Sequence, residues 1–182
     1  MTTNEISLEQ RLNASIDRVW QAWTDSTQTG TWFAAGANIQ PERGGAYELF
    51  WDLAHPERDS TIGCRLTFIQ PKKWLGFTWR GPSIYDDLMN ENATPPPPPT
   101  HVTVQFEPQG DQTEIHVTHI GWGAGPRWDE ARNWHIRAWA GVIQNLVAFL
   151  EGCELPNQWK ERLIGLTCKC SRSLTAPPDL RR

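Results

Sequence analysis

The chain has no cluster of basic residues, and its net charge at neutral pH is −4. Nucleic-acid binding needs grouped lysine and arginine side chains, so this class of partner is disfavoured. No stretch approaches the roughly 20 apolar residues that cross a bilayer, and the first ten residues are too polar for a signal peptide or an anchor. We therefore predict a cytoplasmic protein with neither nucleic acid nor membrane as a partner.

Cysteine is sparse, and the short motifs of common catalysts are missing. Since no export signal is seen, reduced thiols are expected for Cys64, Cys153, Cys168 and Cys170. Cys168 and Cys170 are separated by a single residue, which is closer than zinc ligand pairs usually stand. There is also no nucleophile elbow, phosphate loop or dinucleotide fingerprint. We predict neither a metal nor a cofactor.

Tryptophan, in contrast, is abundant, with eleven in 182 residues. The indole is large and amphipathic and is costly to expose, so many of these rings must line a core, a pocket or an interface.

The hydrophobic pattern predicts an α+β protein. Apolar residues alternate in the first strand, and Ser15 is placed to cap a helix whose apolar face holds Val19, Trp20 and Trp23. A second short helix follows at 26–33. Apolar residues then recur with period two in six segments, which are 37–42, 46–52, 61–69, 75–79, 102–106 and 113–119. The segment 127–151 returns to helical spacing and ends before Gly152.

Successive strands joined by short turns form an antiparallel meander, and the long helix must bury its apolar face against it. We predict one domain at 1–152, with a proline-rich loop at 81–100. The run from Pro95 to Pro99 should be extended as polyproline. The extension 153–182 is expected to hold a short helix at 157–166 and then to fray.

Strand direction alternates in a meander, so the connections at 53–60, 80–101 and 122–126 should gather at one end of the sheet. Long loops at the end of a rigid sheet often build binding sites. We therefore expect a pocket that opens there and is lined by inward-facing side chains: Tyr47, Trp51, Phe77, Trp79, Phe106 and His119 from the sheet, with His135 and Trp139 from the helix.

Several motifs, taken in order, resemble one known superfamily. The segment Ile16–Trp23 resembles its "P-x-x-V-W-x-A-W/L" opening, and Gly44–Tyr47 its "GG-x-Y/F" hairpin. Pro71–Trp79 is similar to "P-x-x-L-x-F-x-W", and Val102–Trp122 to "V-x-V-x-F … G-x-x-T-x-V-x-L-x-H-x-G-W". This is the START-like, or SRPBCC, superfamily, and the most similar branch is named after the activator of the heat-shock-protein-90 ATPase.

The resemblance covers residues 4–152 and implies a helix-grip fold with a cavity between the sheet and the long helix. Members of this superfamily bind lipids, hormones or polyketides, some are cyclases or hydrolases, and one branch stimulates a chaperone. The proline-rich loop and the tail at 153–182, with Cys168 and Cys170, depart from the pattern. A shared fold does not by itself assign a function.

Three functions therefore stay open. The first is a non-catalytic carrier or sensor of a small apolar molecule, favoured by the aromatic inward faces. The second is a cyclase-like or dehydratase-like enzyme, in which His119 and His135 act as acid–base groups. The third is a protein-interaction module or homodimer, which would expose tryptophans such as Trp128, Trp134 or Trp159.

Overall fold

The computed structural model of the chain describes residues 4–89, 99–153, 155 and 179–181. Its elements in chain order are β1 (Ile6–Leu12), α1 (Ile16–Thr24), α2 (Ser26–Trp32), β2 (Gly36–Ile39), β3 (Tyr47–Phe50), β4 (Leu66–Gln70), β5 (Trp74–Trp79), a 3-10 turn (Ser83–Tyr85), α3 (Asp86–Met89), β6 (Thr100–Gln109), β7 (Gln112–Ile120), α4 (Pro126–Leu150) and β8 (Asp179–Arg181).

The two short helices are fixed to each other by local polar contacts. Ser15 caps α1 as predicted, because its side chain accepts a hydrogen bond from the Arg18 amide. The Trp32 indole then donates to the Ala22 carbonyl at 2.8 Å. The ring of Trp32 also meets that of Trp23 edge to face. These bonds satisfy backbone groups at the helix junction while the indoles remain buried.

The main sheet has six antiparallel strands in the order β4-β5-β6-β7-β1-β8, while β2 and β3 pair separately. Buried and partly exposed residues alternate along β6 and β7. One face of this pair therefore points inward to the core, and the other face points outward. Together with the long α4 helix, this arrangement confirms the predicted α+β class.

The predicted strand at 61–69 begins only at Leu66. The reason is a turn at 61–64, in which the Cys64 amide donates to the Thr61 carbonyl at 3.0 Å and Gly63 has φ +85°. The Thr61 amide still donates to the Leu49 carbonyl at 3.0 Å, and the Thr61 hydroxyl accepts from the Leu49 amide at 2.8 Å. The chain therefore turns beside β3 before it enters β4.

The long helix buries one stripe of residues spaced by three or four: Ala131, His135, Trp139, Ile143, Leu146 and Leu150. The spacing keeps these side chains on one side of the helix, so they form a continuous seam against the rest of the core. The helix ends at Leu150, and Gly152 follows in the left-handed conformation with φ +70°.

The C-terminal region differs from the prediction in two respects. The expected fraying does not extend to β8, which pairs antiparallel with β1. Cys153 is disulfide-bonded, so the expectation of a reduced thiol was wrong at this position. The predicted helix at 157–166 and the run from Pro95 to Pro98 lie outside the described residues. No described helix has the length and apolarity needed to cross a membrane.

Replacing Gly141 by alanine is expected to stabilise the protein. A Cβ at this exposed position of α4 would meet no atom within 4 Å. Alanine in a helix interior is favoured over glycine by about 0.5–1 kcal/mol. Urea unfolding should show that increase in the free energy of unfolding.

Gly44→Ala is the matched control. A Cβ at Gly44 also meets nothing within 4 Å, but the residue has φ +81°. This substitution should lower the free energy of unfolding by about 1–2 kcal/mol. If both substitutions raise the free energy of unfolding, or both lower it, the left-handed backbone of Gly44 and the helical backbone of Gly141 are contradicted.

Candidate functional site

Two tryptophan-to-histidine hydrogen bonds join the sheet to the long helix. The Trp79 indole on β5 donates to Nε2 of His135 on α4 at 3.1 Å. In the opposite sense, the Trp139 indole on α4 donates to Nδ1 of His119 on β7 at 3.2 Å. The two imidazoles are both buried, and their ring centroids lie 5.5 Å apart. We refer to these four residues as the Trp–His cluster.

The partners of each ring fix its tautomer. His135 Nδ1 lies 2.8 Å from the Ala131 carbonyl, one helical turn earlier, so this nitrogen carries the proton. His119 Nδ1 accepts from Trp139, so its proton is on Nε2. Each neutral ring has one acceptor nitrogen, and in both rings that nitrogen already accepts a hydrogen bond from an indole.

Burial keeps both rings neutral. It lowers the pKa of His135 to about 4, and the Ala131 carbonyl offsets this only in part. Burial also lowers the pKa of His119 well below its usual value, and the nearby His135 and His101 lower it further. A charged imidazole would lose its hydration on burial, and the Trp–His cluster contains no carboxylate that would compensate for this loss.

One polar atom of the Trp–His cluster has unused capacity. His119 Nε2 is buried and makes no hydrogen bond among the described residues. Since it carries the proton, it is a donor that lacks an acceptor. Leaving such a group unsatisfied costs about 1–3 kcal/mol, so it is the position where an oxygen acceptor would contribute most.

The structure brings most of the predicted pocket residues together, but not all of them. The Trp79 ring lies 6.1 Å from that of Trp51 and 6.3 Å from that of Phe77, which stacks on Tyr47 at 4.0 Å. Phe106 instead packs against Trp20 and Trp23 of α1. It lies at the helix junction and makes no ring contact with the Trp–His cluster.

Two further rings complete the surroundings of the imidazoles. Phe33, which follows α2, lies 6.0 Å from Trp79 and 5.5 Å from Trp139. Trp122, which follows β7, lies 4.4 Å from His119 and 4.9 Å from His135. The sequence analysis placed Trp122 in the connection 122–126 at the pocket end. It missed Phe33, whose only signal was its position beside Trp32 at the end of α2.

The segment 81–89 covers the Trp–His cluster at the predicted end of the sheet. Gly81 lies so close to Met89 and His135 that an added Cβ would stand 2.6 Å from the sulfur and 3.3 Å from the imidazole. Polar contacts at the surface hold the segment: Ser83 donates to Asp59 at 2.9 Å, and Arg127 lies 3.4 Å from Asp87. Two of the connections predicted to gather here, 53–60 and 80–101, therefore meet through Asp59 and Ser83.

The tryptophans expected at a protein interface are largely packed. Trp134 is partly buried against Tyr85 and His135, and Trp128 lies against Gly123 and Trp122. Trp159 lies outside the described residues. A separate surface depression of about 370 Å³ lies between α2 and β2, and none of the eight predicted pocket residues lines it.

The two buried imidazoles should make stability depend on pH. Their pKa values are lowered in the folded chain, so the unfolded chain, with a histidine pKa near 6.5, binds more protons at mildly acidic pH. The stabilisation is complete above about pH 6.5 and declines as the pH falls toward 4. Each histidine should contribute a slope of about 1.4 kcal/mol per pH unit.

Urea unfolding of His135→Gln at several pH values measures this contribution. The amide side chain does not titrate, so the slope below about pH 6 should fall by roughly 1.4 kcal/mol per unit relative to the unmodified chain. An unchanged slope would mean that the unmodified imidazole is charged in the folded protein.

Comparison with known proteins places the chain in a family. The family model described as Activator of Hsp90 ATPase homolog 1-like protein matches residues 13–151. No curated protein sequence matches the chain.

Solved structures share the fold at low sequence identity. The Aha1 dimer from Colwellia psychrerythraea is 19% identical with a TM-score of 0.59, covering 81% of this chain and 96% of that one. An HSP90 activator from Plasmodium falciparum, PFC0360w, is 16% identical with a TM-score of 0.59 and the same coverage of both chains. CalU16 from Micromonospora echinospora is 19% identical with a TM-score of 0.59, covering 80% of this chain and 75% of that one.

These matches confirm the helix-grip fold that the sequence motifs predicted. Since the family model spans well over half of the residues, the chain belongs to the Activator of Hsp90 ATPase homolog 1-like family within the START-like superfamily.

Proposed function

We propose that the protein binds a small, mainly apolar molecule that carries one oxygen acceptor. The observation that carries this proposal is the buried, unpartnered Nε2–H of His119 among aromatic rings. Apolar walls with a few converging polar groups are typical of small-molecule sites. The acceptor of the ligand, a carbonyl or an ether oxygen, would take the hydrogen bond that the protein leaves unmade.

The covering segment 81–89 supports a route of entry. It is built from a single 3-10 turn and one turn of helix. Exposed ion pairs such as the one between Arg127 and Asp87 contribute only about 0–1 kcal/mol each. Outward movement of this segment, with Met89 and Tyr85, would uncover His135 and the neighbouring ring of Trp122.

Acid–base catalysis by the two histidines is less well supported. A general base needs a free lone pair, and those of His119 and His135 already accept from Trp139 and Trp79. A general acid works best with a pKa near the working pH, and burial lowers both pKa values below that range. The neutral rings are better suited to recognition than to proton transfer.

A pair of fluorescent probes tests the proposal. The first is 6-propionyl-2-(dimethylamino)naphthalene, which is planar and apolar and has one carbonyl acceptor. The second has a methylene group in place of that carbonyl. The first should bind more tightly, by the roughly 2- to 12-fold that one net hydrogen bond provides.

The variant His119→Phe keeps a ring of similar shape but removes the donor. Both probes should then bind with the same affinity, although Trp139 loses its acceptor and the protein is less stable. His101→Phe on the outer face is the control, and it should keep the preference for the carbonyl. If neither probe binds the unmodified protein, or if the preference survives in His119→Phe, the proposal is wrong.

A further inference from the structure

The outer face of the sheet carries a second group of chemistry-bearing side chains, away from the Trp–His cluster. His116 on β7 stands directly across from Glu9 on β1 and from Gln105 on β6. Glu107 and Glu114 face each other on β6 and β7, two residues further along. Strand alternation points these side chains outward, opposite to His119.

Three donor atoms of this group converge. His116 Nε2 lies 3.3 Å from Oε1 of Glu114 and 4.0 Å from Oε2 of Glu107. One ligand atom from each residue lies within 4.8 Å of the other two. His116 Nε2 is itself buried and, although near both carboxylates, has no hydrogen bond of acceptable geometry among the described residues.

Each of these three side chains is also oriented by a neighbour through its other polar atom. Glu9 Oε1 lies 3.4 Å from His116 Nδ1, Arg11 donates to Glu114 Oε2 at 3.3 Å, and Gln105 donates to Glu107 Oε1 at 2.5 Å. A carboxylate on the second ring nitrogen is the usual partner of a metal-bound histidine. The remaining atoms, His116 Nε2, Glu107 Oε2 and Glu114 Oε1, are those that converge.

The charges of the group also favour a cation. Like charges directly across a pair of strands destabilise a sheet, and Glu107 and Glu114 are such a pair. Glu9 adds a third carboxylate close to His116, and Arg11 provides a counter-charge to Glu114. Arg11 is a single counter-charge to the facing carboxylates of Glu107 and Glu114, so a cation between them would relieve the remaining repulsion.

We propose that His116, Glu107 and Glu114 bind one Zn²⁺ ion on the outer face of the sheet, with Glu9 as the positioning residue for the imidazole. Zinc bonds of about 2.0–2.2 Å to nitrogen and oxygen place tetrahedral ligand atoms roughly 3.4 Å apart. His116 Nε2 lies 3.3 Å and 4.0 Å from the two carboxylate oxygens, and all three atoms lie within 4.8 Å of one another, so side-chain rotation would bring them to this spacing. An imidazole nitrogen favours zinc over calcium or magnesium, which prefer oxygen ligands alone.

The sequence analysis predicted no metal, and the spacing of the histidines gives no signal of one, since His116 and His119 stand three apart on a strand and face opposite sides. The proposed site depends instead on cross-strand register. It joins β6 to β7 directly and β1 through Glu9, so zinc would bind the folded chain in preference to the unfolded one. Zinc should therefore raise the unfolding temperature.

Calorimetric titration of zinc into untagged, metal-free protein tests the site. We expect one zinc per chain and a rise in unfolding temperature. His116→Ala should weaken binding at least about 10-fold and abolish the thermal shift, and Glu9→Gln should weaken it by roughly 10- to 100-fold while leaving all three ligands in place. His101→Ala, another outer-face histidine, is the matched control and should bind zinc as the unmodified chain does.

Cobalt substitution gives a second readout. Visible absorption of bound Co²⁺ should report a low-coordinate site with a nitrogen ligand in the unmodified chain and in His101→Ala, and this signal should be lost in His116→Ala. Glu107→Gln provides the same comparison if the alanine variant does not fold. The proposal is overturned if the unmodified chain binds no zinc, or if binding is equal after loss of His116, as a zinc site elsewhere on the chain would produce.

Discussion

The exchange of hydrogen bonds between two tryptophans and two histidines is the contact on which the interior of this protein depends. The sheet and the long helix each supply one indole donor and one imidazole acceptor. Residues four apart on one helical stripe, His135 and Trp139, thereby engage two different strands, β5 and β7. Loss of any one member leaves a buried polar atom unpaired, which costs about 1–3 kcal/mol.

This contact determines what the site can do. Because both imidazoles are neutral and their lone pairs are occupied, the Trp–His cluster has polar atoms but no accessible acid or base. Within the Trp–His cluster, the remaining capacity is a single donor, His119 Nε2. Packed rings such as Phe33 and Trp122 surround the pair, so selectivity would come from shape and from one hydrogen bond. Membership of the family does not by itself name a ligand.

The sequence predicted those parts of the fold that depend on residues close together in the chain. The cap at Ser15, the alternation along β6 and β7 and the helical stripe of α4 follow from side-chain spacing, and they placed His119 and His135 toward each other. Non-local pairings could not be obtained in this way. The pairing of β8 with β1 and the approach of Phe33 to the Trp–His cluster depend on chain segments that no periodicity connects. The same holds for the convergence around His116, which requires the register of three strands.

Long-range ¹H–¹⁵N NMR spectra of the histidine side chains test the central contact most directly. Of the five histidines in the chain, two should show single, fixed neutral tautomers, His119 protonated at Nε2 and His135 at Nδ1. Both signals should persist unchanged as the pH is lowered from 7 to about 5, since burial lowers both pKa values below the usual 6.5. An imidazolium signal or averaged tautomers for either residue at pH 6 would contradict the exchange of hydrogen bonds between sheet and helix.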